Sequence, residues 1–278
     1  MAIRIVMLGD IVGTPGRYAV AQAMPLIRQR YAPDAVIANA ENAASGSGLT
    51  PDLYTKLCTA GVDAITLGDH VYKKKQIIGT LEREANIIRP ANLPAGAAGK
   101  PWMRVPLGPP EARGSKGHLF VLTLLGRLYM GLPVDEPFAA VDRVLAVLPQ
   151  KNPLVLVEVH MEATSEKVAM GHHLDGRAVA VLGTHTHIPT ADAKILPKGT
   201  AYLTDLGMTG PYHSVLGRQI DRVLAHLTTA MPAPFDVAEE DPRVCGAVID
   251  IDERSGRAVA IERLEIAADR TKPPFTAA

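Results

Sequence analysis

Short apolar runs alternate with stretches of helical period along most of the chain, and nearly every run closes on a glycine or a polar residue. Residues 3–10, IRIVMLGD, are β-branched and apolar and predict a buried strand ending at a glycine turn. Thr14 and Pro15 read as the N-cap and first residue of a helix reaching about Arg30, with Pro25 a place for a kink. A second strand is expected over 34–42 (DAVIANAEN), a helix opened by Thr50-Pro51-Asp52 to about Thr59, a third strand over 63–70 (DAITLGDH), and a charged helix from Lys73. Further strands are expected over 118–126, 153–160, 178–187 and 199–207, and helices over 137–148 and 163–174, the latter with a capping pattern from Thr164 or Ser165 to Lys167. The terminal CGAVIDID-ERSG-RAVAIERLEI predicts a hairpin turning at 253–256, and the Ala/Pro/Gly-rich segment 91–116 reads as a long loop.

Continuous apolar strands separated by helices imply an α/β fold with buried sheets. The hairpin and the strand pair near 178–207 imply that not every pairing is parallel, which fits two stacked mixed sheets flanked by helices. One domain spanning 1–278 suits this length.

Composition narrows the function classes. Hydrophobic residues make up 47% of the chain and charged residues 21%, and the 29 basic and 29 acidic residues cancel. A neutral chain offers no electrostatic footprint for duplex nucleic acid, although a small nucleotide needs only a local site. The two cysteines, Cys58 and Cys245, make neither a disulfide framework nor a thiolate metal site, which points to a reducing, cytoplasmic setting. The N-terminal apolar run is too short to span a membrane, and no membrane partner is expected.

The chemistry sits at the strand ends. Asp10 ends the first strand, Glu41 and Asn42 the second, Asp69 and His70 the third, His160 the strand 153–160, and His185 and His187 the strand 178–187. Parallel strands carry their C-terminal ends to one edge, where open α/β sheets place their sites. In GTHTHIPT the two imidazoles share a face if the strand continues, and converge if the chain turns. Singly, each residue has a plainer reading, Asp10 as a turn residue and His160 as a buried histidine; the conjunction at five strand ends favours a metal site. Carboxylate, amide and imidazole without thiolate suit Mn, Fe or Zn, and the donors exceed what one ion needs, so two ions bridged by a carboxylate are expected. Paired metals suit phosphoester hydrolysis. His118, His172, His173, His213 and His226 have no such setting, and Lys73–Lys75 reads as a solvated helix start.

The segments GDIVGTPGR, NAENAASGSGLT, RPANLP, LLGRLYM, HMEATSEKVAMG and LDGRAVAVLGTHTHIPTADAKILPKGTAYLTDLGMTGPY, with the terminal hairpin, resemble the YmdB-type branch of calcineurin-like metallophosphoesterases across nearly the whole chain. The resemblance implies an αββα sandwich and a 2′,3′-cyclic-nucleotide 2′-phosphodiesterase-like activity leaving a 3′-nucleotide. It also implies two divalent or trivalent ions, Fe or Mn ahead of Zn or Mg. Asp10, Glu41, Asn42 and His187 would surround one ion; Glu41 would bridge to a second held by Asp69, His160 and His185. A hydroxide bridging the metals would attack, and His70 would be the general acid. The partner is then a small nucleotide or other phosphodiester, and a homo-oligomer stays open. The chain departs from the family at Asp69 (family Asn), Lys73 (family acidic) and Glu158 (family Asp). Two other functions compete: a regulatory or RNA-associated metal-binding protein of low turnover, and a dinuclear hydrolase of amides or other esters.

Overall fold

The computed structural model describes residues 2–149 and 153–269. The first sheet runs in the order β4 (Ala64–Thr66), β3 (Ala35–Asn39), β1 (Ala2–Leu8), β12 (Pro242–Asp252), β11 (Met208–Pro211) and β2 (Asp10–Ile11), with β13 (Arg257–Ala267) also on β12. Strands β1, β3 and β4 are parallel, and β12 is antiparallel to β1, β11 and β13. The second sheet runs β5 (Met103–Pro106), β6 (His118–Leu125), β7 (Leu154–His160), β8 (Ala180–Thr184), β10 (Ala201–Leu203), β9 (Lys194–Ile195). Its four central strands are parallel and its two edge strands antiparallel.

Three apolar layers hold these sheets. Ile3, Ile5, Met7 and Ile37 meet Leu119, Val121, Leu156 and Leu182 between the sheets. Val6, Leu8, Val36 and Ala38, on the opposite faces of the same strands, pack beneath α1 (Gly13–Tyr31) and α2 (Pro51–Thr59). Phe120, Leu122 and Val157 pack beneath α4 (Pro137–Val147) and α5 (Thr164–His173). The fold is an αββα sandwich of two mixed sheets flanked by helices, as the strand pattern implies. Among the described residues no helix is long and apolar enough to cross a membrane.

Several expectations are corrected. Helix α1 starts at Gly13, with Val12 as its N-cap and no capping side chain, so Thr14 lies inside the first turn; Pro25 sits within an unbroken helix on its exposed side. Thr50 does cap α2, accepting from Leu53 N at 3.4 Å. Helix α5 begins with no side-chain cap. The helix expected from Lys73 is a 3₁₀ turn over Lys75–Ile77 followed by α3 (Ile78–Arg83). The strand expected over 178–187 stops at Thr184. Segment 91–116 contains the edge strand β5, whose alternation of buried and exposed residues over only four positions is too short to read against its proline-rich flanks. Helix α6 (Ile220–Thr229) buries only Val223 fully and was not legible as a core-facing element.

Candidate metal centre

The parallel strands of both sheets deliver their C-terminal ends to one rim, so residues far apart in sequence meet there. Glu41 and Asn42 follow β3, Asp69 and His70 follow β4, His160 is the last residue of β7, and His185 and His187 follow β8. The approach of the sheets is close. A Cβ on Gly68 would stand 2.3 Å from His160 Nε2 and 2.4 Å from Glu41 Oε2, so only glycine is compatible with this packing.

Four of the sequence-derived ligands converge: Glu41, Asp69, His160 and His185 each place a ligand atom within 4.8 Å of the others. His160 Nε2 is central, 3.0 Å from Asp69 Oδ1, 3.3 Å from Glu41 Oε1 and 3.1 Å from His185 Nδ1. The other three flank Glu41 and this cluster. Asp10 Oδ2 accepts from His185 N at 3.1 Å, Asn42 Nδ2 donates to Glu41 Oε1 at 3.2 Å, and His187 Nε2 lies 3.3 Å from Asn42 Nδ2.

The electrostatics are those of a site built for cations. Burial, reinforced by the charges of Glu41 and Asp205 and opposed by His160, pushes the Asp10 carboxyl up to about 7. Burial also disfavours charge on Asp69, Glu41 and His160, but their mutual attraction outweighs it. Hydrogen bonds from His160 and His185 hold Asp69 far below the carboxylate range, His160 holds Glu41 below it, and the carboxylates hold His160 well above the imidazole range. Asp10 Oδ1 is the one buried side-chain polar atom without a hydrogen-bond partner among the described residues. An orphaned carboxylate oxygen in such a setting is costly unless a cation answers it. The donor set of carboxylate, amide and imidazole fits a borderline or hard transition-metal ion.

The two histidines of GTHTHIPT converge by the turning alternative. His185 and His187 both adopt the left-handed region, at φ 94° and 65°. Such conformations cost of order 1–3 kcal/mol each and persist only where the surroundings over-determine them. Here the surroundings are Thr186, between them, whose N–H and hydroxyl donate to Asp205 Oδ2 at 3.2 and 2.8 Å. The same oxygen accepts from Lys167 Nζ at 2.7 Å, and both side chains of this ion pair are buried. Lys167→Met should therefore leave an uncompensated buried aspartate and cost about 3–5 kcal/mol of stability. A chemical-denaturation midpoint unchanged from wild type would show that the pair does not hold the loop.

His70 lies at the mouth of the cluster. Its N–H donates to Glu41 Oε2 at 2.9 Å, and its Nδ1 is 2.6 Å from Asn42 Oδ1, so the ring donates there and Nε2 remains for other work. His187 Nδ1 likewise donates to Leu216 O at 3.0 Å. A cavity of about 370 Å³ opens here, lined on one side by Glu41, Asn42, His70, Glu162, His185 and His187 and on the other by Val215, Leu216, Val223 and Phe235, with Arg218 between. Sequence reasoning missed this apolar wall, Glu162, whose carboxylate is 3.2 Å from His185 Nε2, and the Lys167–Asp205 pair. Glu162 and Lys167 stand in HMEATSEKVAMG; the signal available was that this stretch begins with His160 itself. The histidines left out of the site lie elsewhere: His173 pairs with Asp142 and His213 is 64% exposed.

Comparison with known proteins agrees with this geometry. The profile of the family described as YmdB-like protein matches residues 6–264. The chain is 44% identical over 267 residues to a 2′,3′-cyclic-nucleotide 2′-phosphodiesterase of Bacillus subtilis (strain 168), covering 96% of this chain and 98% of that one. A crystal structure of a hypothetical protein from Thermus thermophilus superposes with a TM-score of 0.87 at 44% identity, over 96% of this chain and 100% of that one. One of a novel phosphatase from Mycoplasma pneumoniae gives 0.88 at 30% identity, over 96% and 94%.

Proposed function

Because the chain belongs to the YmdB-like family of calcineurin-like metallophosphoesterases, we propose that it hydrolyses small phosphodiesters, 2′,3′-cyclic nucleotides first among them, to 3′-nucleotides. The observation that carries this reading is the cluster of Glu41, Asp69, His160 and His185, with the orphaned Asp10 oxygen beside it, opening onto a cavity with one apolar wall.

Asp69, His160 and His185 would hold one ion, Asp10, Asn42 and His187 another, and Glu41 would be shared; Fe or Mn suits this set, with Zn or Mg as alternatives. Ions in such a site acidify water into a nucleophile at neutral pH and offset the charge of a phosphoryl group in an in-line displacement. The protein's own residues do the rest. Asn42 accepts from His70 Nδ1–H, so the ring in its imidazolium form would carry its second proton on Nε2 and pass it to the departing 2′ oxygen, reverting to the neutral ring. The ribose phosphate would face the polar side of the cavity and the base the wall of Leu216, Val223 and Phe235, while Arg218 ties that wall to the loop at Gly46 by donating to Phe235 O at 2.9 Å and Gly46 O at 2.5 Å.

The test is a Mn²⁺-reconstituted assay on 2′,3′-cyclic, 3′,5′-cyclic and linear phosphodiesters, with products separated by chromatography. The expected result is turnover of the 2′,3′-cyclic substrates, 3′-monophosphate as product, and loss of activity on chelation. No turnover above the chelated control on any substrate would overturn the enzyme reading in favour of a metal-binding protein of another function. A 2′-monophosphate product would overturn the assignment of the broken bond.

A further inference from the structure

Glu158 is wholly buried and shares a face of β7 with His160, two residues on. Among the described residues no lysine or arginine forms an ion pair with it; hydrogen bonds satisfy it instead. Its Oε1 accepts from Asn39 Nδ2 at 2.7 Å and from Thr184 Oγ1 at 2.8 Å, and its Oε2 accepts from Thr123 Oγ1 at 2.7 Å. Two of these donors lead to the metal cluster.

The first branch runs through Thr184. Its hydroxyl oxygen is also 2.9 Å from His160 Nδ1. A carboxylate can only accept, and a hydroxyl has a single proton to give. With that proton given to Glu158, Thr184 can only accept from His160, so Nδ1 must carry a proton. Nε2, the atom that stands at the centre of the cluster, is then the nitrogen that can exchange its proton for an ion and offer a lone pair to it. The second branch runs through Asn39. Its amide nitrogen faces Glu158, so its carbonyl oxygen is turned to accept from Glu41 N at 3.0 Å, which fixes the backbone of the shared carboxylate.

We propose that Glu158 is a positioning residue for the metal centre, polarising a two-branched relay through Thr184 to His160 and through Asn39 to Glu41, so that His160 is set as an Nε2 ligand by the fold itself. Histidine ligands ordinarily give their other N–H straight to a carboxylate or carbonyl; here a hydroxyl is interposed and the carboxylate acts one bond further out. The inference rests on His160 being a ligand in the phosphodiesterase proposed above.

Thr184→Val removes the accepting oxygen at nearly constant volume, and Thr184→Ser retains it. Two measurements are made on the full chain: Zn²⁺ affinity by chelator competition, and, on the Zn²⁺-loaded protein, the protonation of His160 by ¹⁵N NMR of the imidazoles, assigned with His160→Gln. Wild type and Thr184→Ser should show a protonated Nδ1 on His160, slow to exchange, and similar zinc affinity. Thr184→Val should lose the slow-exchanging signal and bind zinc about 10–100-fold more weakly, the usual effect of removing an outer partner of a ligand. Glu158→Met, which deletes the acceptor at the far end, should do the same, and stands in if Thr184→Val does not fold. A wild-type spectrum with bare Nδ1, or variants that bind zinc as tightly as wild type, overturns the relay. Tight zinc binding with the Nδ1 proton in place but no phosphodiester turnover overturns the phosphodiesterase reading and leaves the relay standing.

Discussion

Glu41→Ala is expected to abolish metal binding and, with it, phosphodiester hydrolysis down to the level of the chelated protein. Glu41 is the carboxylate common to both sides of the site: Oε1 stands 3.3 Å from His160 Nε2 and accepts from Asn42, and Oε2 accepts from His70 N. Its removal therefore takes a charged donor from each candidate ion position at once. It also leaves the His70 N–H and the Asn42 amide without their acceptor, a desolvation cost of about 1–3 kcal/mol for each group left unsatisfied. Elemental analysis after reconstitution with excess Mn²⁺ reads the first effect and thermal denaturation the second. Retention of two ions per chain by the variant would remove Glu41 from the shared position. His187→Ala should be milder and lose mainly one ion, because that ring, 3.3 Å from Asn42 Nδ2, would serve only the ion held with Asp10 and Asn42.

The second large effect is expected at His70. Its ring contributes no atom to the four-residue cluster and lines the cavity instead, so His70→Ala should keep its metals. General acid catalysis is typically worth about 10²–10⁴-fold, and a loss of that size is expected on substrates whose leaving group is a ribose alkoxide. A p-nitrophenolate leaving group departs with little help from a proton, so the loss on an aryl phosphodiester should be much smaller. The comparison is made at saturating Mn²⁺ with metal content measured on the same samples. Equal losses on the two substrates would exclude the acid role and assign the ring to substrate binding. Asp69 does not disturb this test, because its Oδ2 is 3.7 Å from His70 Nε2 and too far for a hydrogen bond that would occupy it.

Much of the fold was legible because it follows from local pattern. The apolar strands β1, β3, β6 and β7 are buried on both faces and read as continuous runs; α2 announces itself with Thr50 and Pro51, and the β12–β13 hairpin with its polar turn. The short strands β2, β9 and β11 were not legible, since two to four residues carry no period. Helix α6 was missed for another reason: of its apolar residues only Val223 is buried, where it lines the cavity, while Leu224 and Leu227 stay exposed, so the helix adds little to the core.

The site divides in the same way. By itself the sequence determined which residue types stand near which strand ends, and a parallel sheet brings its C-terminal ends to one edge; that the ends of β3 and β4 in one sheet and of β7 and β8 in the other share a rim, with Asp10 opening β2 and not closing β1 as expected, follows from how the two sheets stack. Only the tertiary structure decided how they meet. Whether His185 and His187 share a strand face or converge from a turn depends on Thr186 being pinned to Asp205, and Asp205 on a lysine 38 residues away on α5. Which nitrogen His160 presents depends on Glu158 and Thr184 acting together from adjacent strands. Hydrogen-bond direction is a property of a closed network of donors and acceptors, and the network closes only when strands distant in sequence lie side by side.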